Sequence, residues 1–206
     1  DRARYDTTTF NVSHVPGAEG TASGGLLDKG YSKDGPTSLL QFKQSLGTLD
    51  PAGIPILTET LEGQKADDPL YVPAWHKMVQ TIGHTRFLFI ADCKAAALNT
   101  RAEISRAEGQ YLFPMPMTGE VPESLHKYVF DPANKPRPIS LVDVVTSKGQ
   151  PKVVGSGFEV NRSLSATLTD GTTHTWTERW LVTRSDALAQ RRQKTWESVC
   201  NAQSPS

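Results

Sequence analysis

Cysteine is scarce in this sequence, and neither sign of charge is in excess. Two cysteines in 206 residues are too few for a disulfide scaffold or a cysteine-based zinc site. The 22 basic and 22 acidic residues give a formal net charge of +0, so bulk charge does not favour nucleic-acid binding and any DNA contact must come from local patches. The five histidines lack the paired spacing of zinc ligands on one helical turn, which argues against a zinc site.

The sequence also lacks a signal peptide and any apolar run long enough to cross a bilayer. We therefore expect a soluble protein in the reducing cytoplasm, with no membrane partner. At 37% hydrophobic residues the chain can still bury a substantial core. Because a strand begins almost at Asp1 and the last residues, 203–206, are polar, we expect a fragment of a longer protein.

What the sequence does contain is an apolar run that ends in a single acid. Residues 87–90 are all apolar and lead to Asp92, after which the composition changes to helix formers. This pattern predicts a buried strand ending at Asp92 and a helix over about 94–107. An acid at the carboxyl end of such a strand lies where open α/β sheets bind ligands. A second acid, Asp6, lies in a threonine-rich, β-prone run, and two strand acids that converge on one sheet could share divalent metal.

The segments between these acids predict an α/β fold. Apolar runs at 39–46 and 54–61, joined by turn residues, indicate a hairpin, and Pro55 indicates an edge, a bulge or a strand start. A helix should start with Asp68 as its N-cap and end at Gly83, with its apolar face on the sheet. A short strand follows at 111–113. The order strand, strand, strand, helix, strand, helix, strand is the ribonuclease-H-like layout, with both acids in one mixed sheet.

Beyond Pro114 the chain becomes rich in proline and then in β-prone runs. We predict a core domain over 1–116 and a β-rich insertion with a C-terminal helix over 117–206. The insertion should be mostly antiparallel, because Asp170-Gly171 and two other turn signals separate its β-prone runs. Those runs are 141–146, 152–160, 163–168 and 174–183, with a turn expected at Asn161-Arg162.

The last predicted helix is capped by Ser185 and carries Leu188, Trp196 and Val199 on one side. Arg191 and Arg192 lie on other sides of it, where they either contact DNA phosphate or form a solvated helix face. The same two interpretations apply to Lys33 and Lys94. Cys93 has no histidine partner that would make it a nucleophile, which favours a small buried side chain.

Four local patterns occur in one order along the chain and together carry a family resemblance. They are Asp6-Thr7-Thr8-Thr9-Phe10, Gly30-Tyr31-Ser32-Lys33-Asp34-Gly35-Pro36, the hairpin Asp50–Ile56 with Gly63 and Asp67 after it, and Asp92-Cys93-Lys94. In this order they resemble the DDE transposases of bacterial insertion sequences. The resemblance covers nearly the whole chain, since relatives of the cut-and-paste type carry a β-rich insertion after the second acid.

The resemblance implies a ribonuclease-H-like mixed sheet flanked by helices, with an inserted antiparallel β subdomain. It also implies transfer of DNA phosphodiester bonds with two Mg²⁺ or Mn²⁺ ions, which Asp6 would bridge and of which Asp92 would ligate one. Water attacks first, and the freed 3′-hydroxyl then attacks the second or target strand. The implied partners are transposon ends and target DNA, bound by a homodimer at the bacterial nucleoid.

The family's third acid is a glutamate within the pattern Tyr, two residues, Arg, three residues, Glu, six residues, Lys. Glu178 has His174 and Ser185 where this pattern has its Arg and Lys. Glu197 has Gln193 and Ser204 at those places. Neither fits, so we expect the third acid beyond Ser206 or lost. Two hypotheses follow: a transposase catalytic core, or a non-catalytic remnant that binds DNA or a transposase partner.

Overall fold

A computed structural model describes residues 1–12, 25–29, 39–130, 137–144 and 149–202. The chain divides into two compact units. The first comprises Asp1–Pro116 together with Ser165–Thr175, and the second comprises Met117–Leu164 and Trp176–Ser206. None of the helices in these described ranges is long and apolar enough to cross a membrane.

The first unit contains a six-stranded mixed sheet. Its strands are β1 (Arg2–Val12), β2 (Asp28–Lys29), β3 (Leu40–Asp50), β4 (Ile54–Glu62), β5 (Leu88–Ile90) and β6 (Gln110–Leu112). They are ordered β2-β3-β1-β5-β6, with β4 also paired to β3. β1 is antiparallel to β3 and parallel to β5, and β5 is parallel to β6. The prediction that the strand of Asp6 and the strand before Asp92 lie in one mixed sheet is therefore confirmed.

The predicted hairpin is β3 and β4, joined by the three-residue turn Pro51–Gly53. Among the described strands, β4 pairs with β3 alone and is therefore an edge strand. Pro55 pairs with Thr48 directly beyond a register shift at Gly47/Thr48. A proline, which has no N–H to donate, fits such a place, as predicted.

Two helices follow the hairpin in the first unit, and both differ from their predictions in detail. A 3-10 turn (Asp68–Leu70) precedes α1 (Tyr71–Ile82), and Gly83 caps α1 in the left-handed conformation at φ 87°. Asp68 is the first residue of the 3-10 turn, and the N-cap position before it is Asp67, whose side chain makes no cap hydrogen bond. The prediction that Asp68 is the N-cap is therefore wrong. The helix predicted over 94–107 is two pieces, a 3-10 turn (Cys93–Ala96) and α2 (Leu98–Arg106), because Ala97 between them is extended at ψ 139°.

The core of the first unit lies on one face of the sheet. Tyr5 of β1 meets Tyr71 of α1 with ring centroids 5.8 Å apart, and Trp75 and Met78 of α1 are fully buried. The predicted apolar face of this helix therefore packs on the sheet. On the opposite face, Phe10 and Leu46 remain 47% and 44% exposed.

The second unit contains α3 (Val121–Phe130), β7 (Arg137–Asp143), most of β8 (Lys152–Thr167) and β9 (Thr173–Ser185), and α4 (Asp186–Ala202). The three strands form a separate sheet in the order β7-β8-β9, with β7 antiparallel to β8. Ser185 caps α4 as predicted, since its hydroxyl accepts a hydrogen bond from the Leu188 N–H at 3.5 Å.

Two predicted turns in this region have opposite outcomes. At Asp170-Gly171 the chain does turn, with Gly171 at φ 81° and its N–H donating to the Leu168 carbonyl at 2.9 Å. At Asn161-Arg162 it does not turn, and β8 continues through both residues. The Arg162 guanidinium lies 4.4 Å from the centre of the Trp180 ring, and this cation–π contact stabilises an extended backbone at Arg162.

Candidate functional site

Asp6 and Asp92 each follow the stretch in which β1 pairs with β5. The parallel pairing of β1 with β5 ends at Arg4 opposite Ile90. Asp6 and Asp92 each follow two residues later, and Asp92 still has an extended backbone at φ −73°, ψ −178°. Asp6 therefore lies within β1, and Asp92 lies just beyond the carboxyl end of β5.

Asp92 is held by two hydrogen bonds to one carboxylate oxygen. Its Oδ1 accepts from the Tyr71 hydroxyl at 2.5 Å and from the Lys94 backbone N–H at 3.1 Å. Burial raises the pKa of Tyr71, and the bond to Asp92 raises it further, so the phenol remains a donor. No described residue donates to the other oxygen, Oδ2, which stays available to a ligand.

Asp6 has a more exposed environment than Asp92. Its Oδ1 accepts the backbone N–H of Thr7 at 2.8 Å, and its side chain is exposed. Strand alternation puts it on the face opposite Tyr5, which is buried against α1. The donor chemistry fits a hard divalent cation, because each of the two acids keeps one carboxylate oxygen that no described residue occupies.

A third acid, Asp67, lies in a cationic environment near Asp92. Its side chain is 11% exposed, and its Oδ1 accepts from the Lys43 ammonium at 2.8 Å and from the Thr7 hydroxyl at 3.4 Å. Its Oδ2 accepts from the Lys94 ammonium. Lys43 also donates to the Lys65 carbonyl at 2.6 Å. Asp67 thereby joins β1, β3 and the turn that follows Asp92.

The charges of this network stabilise one another. Burial alone raises the pKa of Asp67, but hydrogen bonds and charges from Lys43 and Lys94 outweigh it and bring that pKa below its ordinary value. The hydrogen bond to Asp67 raises the pKa of Lys94. At neutral pH the Asp67 carboxylate and the Lys94 ammonium are therefore charged.

Sequence reasoning did not predict Lys43 or Tyr71 as site residues, and it placed Asp67 only within a family pattern. A signal for Lys43 does exist in β3. Gln41, Lys43 and Ser45 alternate along the strand and are all buried, whereas the apolar residues Phe42 and Leu46 are on the other phase. Polar residues at a period of two on the core side of a strand indicate a buried polar network. Here Gln41 donates to the Gly63 carbonyl at 2.8 Å, as Lys43 does to Lys65.

The other residues that the sequence singled out have different outcomes. Lys94 lies two residues beyond Asp92 and bonds to it, whereas Arg191 and Arg192 are exposed on α4 in the second unit. Lys33 lies outside the described residues. Cys93 is exposed, so the prediction that it is buried is wrong. The buried side of its turn is supplied by Ala95 and Ala96.

Glu178 is one of the two glutamates whose surroundings do not fit the family's pattern for the third acid. It is 8% exposed, and its two carboxylate oxygens accept from the Trp176 and Trp180 indoles at 3.2 and 2.8 Å. It is therefore held as a structural carboxylate of β9. Within the described ranges, no three or more His, Cys, Asp or Glu side chains form a group that could hold a metal ion.

No known protein family matches the sequence, and no curated protein matches it. Among solved structures, the chain is similar to a piggyBac transposase in a synaptic complex with hairpin DNA, at a TM-score of 0.42 and 10% identity over 85% of this chain and 32% of that one. It is similar to a Mos1 transposase in a paired-end complex with a transposon end, at 0.34 and 14% over 59% and 36%. It is also similar to endonuclease V of Ciona intestinalis bound to DNA, at 0.28 and 10% over 76% and 64%. The chain thus spans about a third of either transposase.

Proposed function

We propose that this chain is part of the catalytic domain of a DDE transposase, with a ribonuclease-H-like sheet that carries Asp6 and Asp92 as metal ligands. The single observation that carries the proposal is the register of β1 and β5, in which both acids lie two residues beyond a paired position. The sheet has three antiparallel pairings, all made by β3, and two parallel pairings, β1 with β5 and β5 with β6. This mixed arrangement is compatible with the fold that the sequence resemblance implies.

In this proposal Asp6 and Asp92 hold two Mg²⁺ or Mn²⁺ ions, which when bound would position and stabilise the attacking and leaving oxygens of a phosphodiester. The chain's own residues prepare the site. Tyr71 and the Lys94 N–H engage one oxygen of Asp92, so that its other oxygen is presented for binding. The proposed partners are transposon-end and target DNA, bound by a homodimer in the bacterial cytoplasm.

A second candidate is a remnant that binds DNA or a transposase subunit without catalysis. The bonding of Glu178 to two indoles favours it, because that carboxylate is not available as the third ligand. A site with two acids carries less ligand charge than a complete one and should bind metal weakly.

Metal binding tests the proposed site. Titration of the purified chain with Mn²⁺ in a calorimeter should show binding that both Asp6→Ala and Asp92→Asn abolish. Asp68→Asn is the matched control, since Asp68 is an exposed acid outside the site, and it should bind as the native chain does. Equal binding by the native chain and Asp92→Asn would remove Asp92 from the site.

Nicking of supercoiled plasmid with Mn²⁺ at low salt tests for a complete catalytic site, which would exclude the second candidate. With a neutral net charge and only two acids, the chain alone should bind DNA weakly, in a salt-dependent manner, and leave the plasmid intact. Nicking by the native chain that Asp6→Ala lacks would show a complete site in these 206 residues and exclude the remnant.

A further inference from the structure

We propose that Asp67 is a positioning residue that holds the turn after Asp92 in place through Lys94. The proposal deepens the proposed function, because it concerns the same site, but its main test needs neither metal nor DNA. It assigns a role to a carboxylate that is neither of the two proposed ligands.

Asp67 joins several separate elements of the first unit. Thr7 belongs to β1, Lys43 to β3, and Lys94 to the 3-10 turn Cys93–Ala96, while Asp67 itself precedes the turn that leads into α1. These partners are 60, 24 and 27 residues away from Asp67 in the chain. A carboxylate with such partners fixes the relative positions of segments that no local interaction connects.

Lys94 is held both by its backbone and by the end of its side chain. Its backbone N–H donates to Oδ1 of Asp92 at 3.1 Å, and its ammonium donates to Asp67. The Ala95 N–H then donates to the Asp92 carbonyl at 3.2 Å, which closes the turn. Tyr71 sets the orientation of the Asp92 carboxylate, whereas Asp67 acts on the backbone that follows it.

The contact of Asp67 with Lys94 does more than neutralise the buried charge of Asp67. Lys43, with a side chain 11% exposed, already supplies a buried cation for Asp67. The side chain of Lys94 is 37% exposed and would be hydrated if it were released. Its contact with Asp67 is therefore not needed to neutralise the acid, and what it adds is a tether on the Asp92 turn.

Amide hydrogen exchange measured by NMR tests the tether. In Asp67→Asn the N–H groups of Lys94 and Ala95 should exchange about tenfold faster than in the native chain, because local opening of the turn becomes easier. The Gly83 N–H, which donates to Val79 at 2.8 Å at the end of α1, reports opening elsewhere in the unit. A merely structural role would accelerate Gly83 as much as the turn, and that result would overturn the proposal. Asp68→Asn is the matched control and should leave all three amides unchanged.

If Asp67→Asn does not fold, Lys94→Met provides the decision, because it keeps the buried pair of Asp67 with Lys43. It should accelerate exchange at position 95 and leave Gly83 unchanged, and native exchange at both would overturn the proposal. Mn²⁺ affinity is the second readout and should fall several-fold in either variant. If the native chain binds no Mn²⁺, the proposed function fails, while the exchange rates still decide the role of Asp67.

Discussion

Each unit of the molecule contains a largely buried carboxylate, Asp67 in the first and Glu178 in the second, and the two are satisfied in different ways. In the first unit, Asp67 is bonded by two lysine ammonium groups and a threonine hydroxyl from separate elements. In the second unit, Glu178 is bonded by the indoles of Trp176 and Trp180, which lie two residues before and after it on the same strand. Asp67 therefore connects distant parts of its unit, and these bonds of Glu178 organise one face of a single strand.

This difference matters for function because the network of Asp67 reaches the candidate site. Lys94 bonds both Asp67 and Asp92. A substitution at Asp67 can therefore alter the position of a proposed metal ligand. The indole bonds of Glu178 stay within β9. The same chemical group thus supports a site in one unit and a strand in the other.

The largest expected effect is the loss of stability on removing the charge of Asp67. Asp67→Asn should lower the free energy of unfolding by about 3 kcal/mol, because removing one partner of a buried ion pair leaves Lys43 uncompensated. Glu178→Gln keeps an acceptor oxygen for one indole and turns its NH₂ toward the other, so it should cost about 1 to 2 kcal/mol, less than Asp67→Asn. Urea denaturation of both variants measures the difference, and equal losses would show that the two carboxylates are equivalent.

The pH dependence of stability sharpens the same contrast. The pKa of Asp67 lies below its ordinary value in the folded chain, so its contribution is present above the unfolded pKa of about 3.9 and is lost as the pH falls through the folded value. The stability advantage of the native chain over Asp67→Asn should be constant from about pH 5 to pH 9 and shrink below about pH 4. Urea midpoints at pH 7 and pH 3 test this, and an undiminished advantage at pH 3 would exclude the ionic origin.

The smallest expected effect compares packing in the two units. A Cβ added at Gly157 of β8 would lie 2.2 Å from the Val182 carbonyl oxygen, whereas one at Gly47 of β3 would lie 2.1 Å from the terminal methyl of Met78. A methionine end can move, but a strand backbone cannot move as easily. Gly157→Ala should therefore cost about 2 kcal/mol and Gly47→Ala about 1 kcal/mol. Thermal unfolding of both variants checks the order, and the reverse order would mean that β9 yields more easily than Met78.

Much of the first unit was predictable because its signals are local. The apolar run before Asp92 predicts β5, the turn residues between β3 and β4 predict their hairpin, and Gly83 marks the end of α1. Boundaries were predicted less well. The helix after Asp92 is broken at Ala97 and the turn expected at Arg162 is absent, since backbone conformation at one residue depends on contacts that periodicity does not contain.

By itself, the sequence determined the main strands and helices along the chain, the positions of the two acids relative to them and the helix face that packs on the sheet. Hydrophobic period and turn chemistry determine these features because they act between near neighbours. Only the tertiary structure decided that the pairing of β1 with β5 ends at Arg4 and Ile90, that Tyr71 bonds Asp92, and that Asp67 bonds Lys43 and Lys94. These contacts join residues separated by 21 or more positions. These contacts depend on strand register and on the hydrogen bonds that a buried carboxylate requires. Both arise only when distant parts of the chain come together in the folded structure.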